Sequence, residues 1–160
     1  MDALGCPHND RGNSMSTTVH DLTEGEYAVL MAVRLWFRGG TVRSMAAIRA
    51  AFGAAGIPAD ALLPLFAMLG VFAAEGARRP SVLNPAMLMV GHDEVALLEA
   101  LGALQHGNED VALAALDRWL PLVGLCMATG SAQEFGRILA AAGVFLPYGR
   151  VAQRVVLAAE

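Results

Sequence analysis

The residues able to do chemistry are few and widely spread. The densest polar group is His92-Asp93-Glu94, which follows the apolar run Met87-Leu88-Met89-Val90. A histidine beside two carboxylates can act as a general acid–base pair. At the start of a helix the same residues do something plainer: the aspartate caps free N–H groups and the glutamate complements the helix dipole. The leucines that follow at helical spacing favour the plainer role. Arg78-Arg79 is the densest basic point and could clamp a carboxylate or phosphate, although beside Pro80 it also reads as a solvated surface pair. Met87 and Met89 carry flexible thioethers suited to irregular apolar contacts, with core packing the plainer role and a subunit interface the other.

Metal chemistry finds little support. The candidate ligands are Cys6, His8, His20, His92, His106 and Cys126. Zinc needs several of them within about 2.0–2.3 Å of one ion. His92 and His106 bracket one helical pattern and stand about 21 Å apart at the helical rise, too far to share an ion. At a helix end, His106 has a simpler role beside exposed carbonyls. The chain has no G-x-S-x-G elbow for a nucleophilic serine and no G-x-x-x-x-G-K-[ST] phosphate loop. Neither metal nor other cofactor is expected, and a non-enzymatic protein is.

These residues depend on helices to place them. Thr23 and Glu26 form a capping box that opens a first helix to Arg38, with Gly39-Gly40 as its stop. Arg34 and Arg38, four apart, should share an edge face of it. A second helix runs from Thr41 to Gly56, with Met45, Ile48, Phe52 and Ala55 at amphipathic spacing. A third, capped by Asp60 and running to Glu75, carries Leu62, Leu65, Phe66, Leu69 and Phe72, which mark it as a core helix. Pro80 and Pro85 break the segment from Ala77 to Gly91, which reads as a long loop. Long ordered loops are often functional.

Helices resume at Asp93-Glu94 and at Asn108-Glu109-Asp110, and Pro121 ends or kinks the second of these. Leu122 to Met127 reads as a further turn or two, and Ser131 with Glu134 reads as a second capping box opening a last helix to Gly143. Residues 151–160 fit either a helix or an extended arm. The expectation is an all-α, compact orthogonal or bundle-like domain of about six helices. Gly70-Val71-Phe72 and Gly143-Val144-Phe145 echo each other and raise a duplication into two three-helix halves.

Composition sets the remaining bounds. The 160 residues fit one domain: a disordered arm over residues 1–21, polar and without an apolar leader, then a helical domain over 22–160. Met15 could serve as an alternative start. The chain is 56% hydrophobic but only 16% charged, too little charge to cover a surface generously. Abundant alanine explains part of the excess, and a surface hidden by self-association explains the rest. Every basic residue is Arg, a pattern of GC-rich coding, and the net charge of −4 argues against nucleic acid as a partner. The third helix, free of Arg, Lys, Asn and Gln, makes a poor recognition helix for a helix-turn-helix reader. The cysteines suggest no disulfide framework, and Cys126, between Leu125 and Met127, reads as a small buried hydrophobe. No apolar run reaches the 18 or so residues of a membrane span, so a cytoplasmic protein is expected.

The candidate binding residues are therefore Arg78, Arg79, Met87, Met89 and His92. The expected partner is a second copy of the chain, as a homodimer. A small apolar or acidic ligand between helices is the alternative, and a DNA-binding regulator comes behind both.

Overall fold

The computed structural model describes residues 16–149, so expectations about residues 1–15 and about the tail at 151–160 lie outside it. Five α-helices follow a short 3-10 turn at Val19–Asp21: α1 (Glu24–Ala54), α2 (Leu62–Glu75), α3 (His92–Gln105), α4 (Glu109–Leu116) and α5 (Leu122–Ala141). A second 3-10 turn, Ala59–Ala61, leads into α2. The all-α class stands. Among the described residues the only strand-like feature is an isolated antiparallel bridge between Thr18 and Met89.

The α1 helix starts where the sequence says it must. The Glu26 N–H donates to Thr23 Oγ1 at 3.2 Å, and the Thr23 N–H donates to Glu26 Oε2 at 2.7 Å. At Gly40 the backbone turns to φ 71°, ψ −178°, a conformation open to glycine and strained for other residues. Glu24, Tyr27 and Ala28 then line a recess together with Ala51, Ala54 and Ala55. In a straight helix Tyr27 and Ala51 would stand about 36 Å apart. The two limbs, residues 24–39 and 41–54, therefore fold back side by side, and their alanines let the backbones come close. Trp36 Nε1 donates to Thr41 Oγ1 at 2.9 Å across the bend.

The helix count differs from expectation at the other end as well. Ser131 caps nothing: α5 runs unbroken from Leu122 to Ala141, with Pro121 just ahead of its first turn. Its buried face of Leu125, Ala128, Ala132, Phe135 and Leu139 follows one stripe through Ser131, so packing continues the helix past the apparent cap. Glu134 pairs instead with Arg137 at 2.6 Å on the surface. The duplication also finds no support. Phe72 is buried inside α2, whereas Phe145 lies beyond the end of α5 and is exposed.

The core forms where α2 packs along α5, and α3 packs on α4 and α5. Phe52 of the second α1 limb meets Phe135 at 6.2 Å, and Phe72 meets Trp119 edge-on at 6.0 Å. Residues 144–149 then cross α3 as a strap. Gln105 fastens it, donating from Nε2 to the Val144 carbonyl at 2.8 Å and accepting from the Leu146 N–H at 2.7 Å. The strap runs so close that a Cβ on Gly102 would lie 2.7 Å from the Pro147 carbonyl oxygen.

Glycine is therefore required at one helical position and wasted at another. Gly102→Ala should lower unfolding free energy by about 1–3 kcal/mol, because neither the strap backbone nor α3 can yield cheaply. Gly130→Ala, in the middle of α5 with open space around it, should raise it by about 0.5–1 kcal/mol through helix propensity. Urea unfolding of both variants measures the pair of opposite signs.

Candidate functional site

The Ala77–Gly91 loop is organised from beneath by one arginine. Arg34 lies on the first limb of α1 and Glu94 in the first turn of α3, and both side chains are fully buried. Arg34 Nε donates to Glu94 Oε1 and Nη2 to Oε2, each at 2.8 Å. Two further guanidinium bonds reach the loop: Nη1 to the Met87 carbonyl at 2.7 Å and Nη2 to the Met89 carbonyl at 2.6 Å. Glu94 is saturated. Its Oε1 also accepts from the Leu83 N–H at 2.9 Å, and its Oε2 from the Gly91 N–H at 2.8 Å.

Asp93 holds the other end of the loop. It accepts from the Ser81 N–H at 2.7 Å and from Arg78 Nη2 at 3.0 Å. The chain entering the loop is pinned by the Ala77 N–H, which donates to the Trp119 carbonyl at 3.0 Å. Asn84-Pro85 makes the turn before the tip: the Asn84 side chain accepts from the Ala86 N–H at 3.1 Å and its carbonyl from the Met87 N–H at 2.9 Å.

The tip is closed on both backbone edges. Residues 16–19, assigned to a disordered arm from sequence, lie along one edge, where Val19 N–H donates to the Leu88 carbonyl at 2.8 Å and Val90 N–H to the Thr17 carbonyl at 2.9 Å. Arg34 occupies the other edge, where a second strand would otherwise pair. Only side chains are left to face outward: Met87 is 47% exposed, Leu88 60% and Met89 43%. The methionines thus do not pack into the core.

The carboxylates are tuned away from acid–base work. Burial alone would raise the Glu94 pKa, but the Arg34 guanidinium and the Gly91 and Leu83 N–H groups outweigh it and hold the carboxyl below its ordinary 4.5. Burial likewise acts upward on Asp93, and the Ser81 N–H and Arg78 overcome it, leaving the pKa below 3.8. The Trp119 indole N–H also favours the ionised Asp93, although it stays short of a full hydrogen bond. A general acid working near neutrality needs a raised pKa. These two groups are fixed acceptors.

The sequence-derived residues thus meet in part. Arg78 joins Asp93; Met87 and Met89 serve Arg34 through their carbonyls; Arg79 and His92 are exposed and add nothing to the cluster. Asp93 is not the cap of α3, whose N-cap is Gly91. Arg34, placed at an edge from sequence, is buried, whereas Arg38 is exposed. Leu30, Val33 and Phe37 beside Arg34 were the local signal, since a cation set among apolar neighbours calls for a buried acid. Cys126 is exposed rather than buried. Two adjoining clefts of about 480 and 560 Å³ share Asp60, Arg137 and Ile138 along α5. Among the described residues no three His, Cys, Asp or Glu side chains gather as a metal site, and no helix is long and apolar enough to cross a membrane.

Glu94→Gln should cost about 3–5 kcal/mol at neutral pH by leaving Arg34 buried without its counter-charge. Because the folded pKa of Glu94 is depressed, its contribution is complete above 4.5 and is lost as pH falls through the lower folded value. Urea unfolding across the acid range should therefore show a shallower decline for Glu94→Gln than for the parent. Adding Arg34→Met should cost less than the sum of the two single changes.

The chain matches no protein-family model, no curated protein and no solved structure.

Proposed function

We propose that this chain is a non-enzymatic helical interaction module that pairs with a second copy of itself through the Met87-Leu88-Met89 tip. The observation that carries the reading is the arrangement of that tip. Three consecutive large apolar side chains stand exposed on a backbone held along both edges. A surface already fixed in shape loses little conformational freedom on binding, so more of its apolar contact appears as affinity. Methionine adapts to an imperfectly matched neighbour. The low charged fraction of 16% leaves few charges to oppose such a contact. A cytoplasmic setting belongs to the proposal and is supported by the exposed Cys126 thiol, which suits a reducing compartment.

The second reading is a small acidic ligand in the clefts along α5. Their volumes fall within the range of ligand sites. Against it, the Arg137 guanidinium is already engaged by Glu134. Enzymatic and DNA-binding roles have no geometric support of this kind.

Light scattering of the purified chain at micromolar concentration in about 1 M salt, where contacts between surface charges are screened, should report a dimer. Leu88→Asp should shift it to monomer while leaving the thermal melt nearly unchanged, since the side chain is exposed. A monomeric parent, or an unaltered Leu88→Asp dimer, would sink the proposal.

A further inference from the structure

The second limb of α1 carries positive charge that no ion pair answers among the described residues. From Tyr27 to Ala59 there is no Asp or Glu, while Arg34, Arg38, Arg43 and Arg49 fall in that stretch. Arg34 is consumed by Glu94. The other three are exposed, and the ion pairs among the described residues lie elsewhere. The limb buries only Ser44, Ile48 and Phe52, which leaves its opposite face open. On that face Arg43, Ala46 and Arg49 follow one another at three-residue steps, a ridge of charge, small side chain, charge. Val42, 89% exposed, stands beside it.

The α4 helix presents the complement. It buries Ala112 and Leu116 against α3 and α5. Its outer face carries Asp110 and Ala114 and is continued by Asp117, the C-cap residue that keeps helical dihedrals, again charge, small side chain, charge, with Val111 exposed alongside. The one basic neighbour, Arg118, is drawn over the Trp119 ring at 5.2 Å. Along the helix axes Arg43 and Arg49 are about 9 Å apart, and Asp110 and Asp117 about 10.5 Å apart. Arginine side chains easily span the difference. Alanine at the centre of each row lets two helices approach closely, which favours a protein helix as occupant over a lipid surface that would want bulky apolar groups.

We propose that the second limb of α1 docks on α4 of a second copy, with Arg43 and Arg49 facing Asp110 and Asp117 across Ala46 and Ala114. The two faces differ and each copy offers both halves, so the contact either repeats reciprocally within a closed pair or runs head-to-tail into a ring or a chain of copies. It shares with the reading above only the premise that the chain meets copies of itself, and it uses a different surface.

The test is sedimentation in the Leu88→Asp background, which removes the tip contact. At low salt this variant should form species larger than a monomer, and about 1 M salt, where screening acts within about 3 Å, should disperse them. Arg43→Glu with Arg49→Glu should weaken association at least about tenfold, and Asp110→Arg with Asp117→Arg should do the same. Mixing those two double variants should restore association, because the reversed faces attract. A Leu88→Asp chain that stays monomeric at low salt, association indifferent to salt, or a charge-reversed variant equal to its parent would overturn the inference. If the parent is monomeric at high salt while Leu88→Asp changes nothing at low salt, the tip reading fails and this one stands.

Discussion

A guanidinium buried without solvent sets the terms for the rest of this molecule. Moving an arginine and a glutamate out of water carries a desolvation penalty of several kcal/mol per ion. Their mutual attraction offsets it only when every remaining donor and acceptor is also satisfied. Arg34 and Glu94 come close to that condition with the loop backbone: two carbonyls bring four of the five arginine N–H groups to an acceptor, and two N–H groups complete the four bonds of the glutamate. The loop could not follow another path without orphaning these groups. Its irregular course, with two prolines and no helix, is what the ion pair requires of the chain between α2 and α3. The pair also links α1 to α3 directly, so the first and third helices are positioned by a polar contact as much as by the apolar core.

The folded-back α1 makes that contact possible. The limb bearing Arg34 is bounded by the Thr23 cap at one end and the Gly40 reversal at the other. The reversal brings Ile48 and Phe52 back over the same core that the first limb enters with Val29 and Val33. Arg34 is enclosed between its own helix, the first turn of α3 and the loop that leads into it. A straight helix of the same length would project far beyond the core and leave its second half without a face to bury.

Much of this was legible locally and little of it globally. The Thr23 cap, the break at Gly40 and the apolar course of α2 follow from rules that act within a few residues, and they appear as read. Ser131 and Glu134 show where such rules fail. The pattern S-x-x-E is the same at a helix start and inside a helix, and the decision belonged to the stripe of Leu125, Ala128, Ala132 and Phe135 pressed on α2. Cys126 sits one residue off that stripe and is exposed for the same reason. The pairing of Arg34 with Glu94 spans sixty positions. Sequence spacing set Arg34 at an edge, and nothing local to it could name Glu94 as its partner. The polar triplet at His92 reads as helix capping in sequence, and its two carboxylates instead hold the loop ahead of α3.

The loop also inverts the usual arrangement of a chain segment. Its polar backbone faces inward to charged groups, and its apolar side chains face outward. A segment that satisfied itself by burying Met87, Leu88 and Met89 would have to turn its carbonyls away from Arg34 and leave that charge unpaired. The ion pair and the exposed tip are therefore two sides of one constraint: while Arg34 holds the carbonyls from below, the large side chains have nowhere to go but out. Exposure of this kind is maintained by several charge-assisted hydrogen bonds and cannot relax by local rearrangement. A patch that merely lacked a core position could sink or fray. This one is held in place, and the Arg34 side chain that grips its carbonyls also keeps Glu94 in its ionised form.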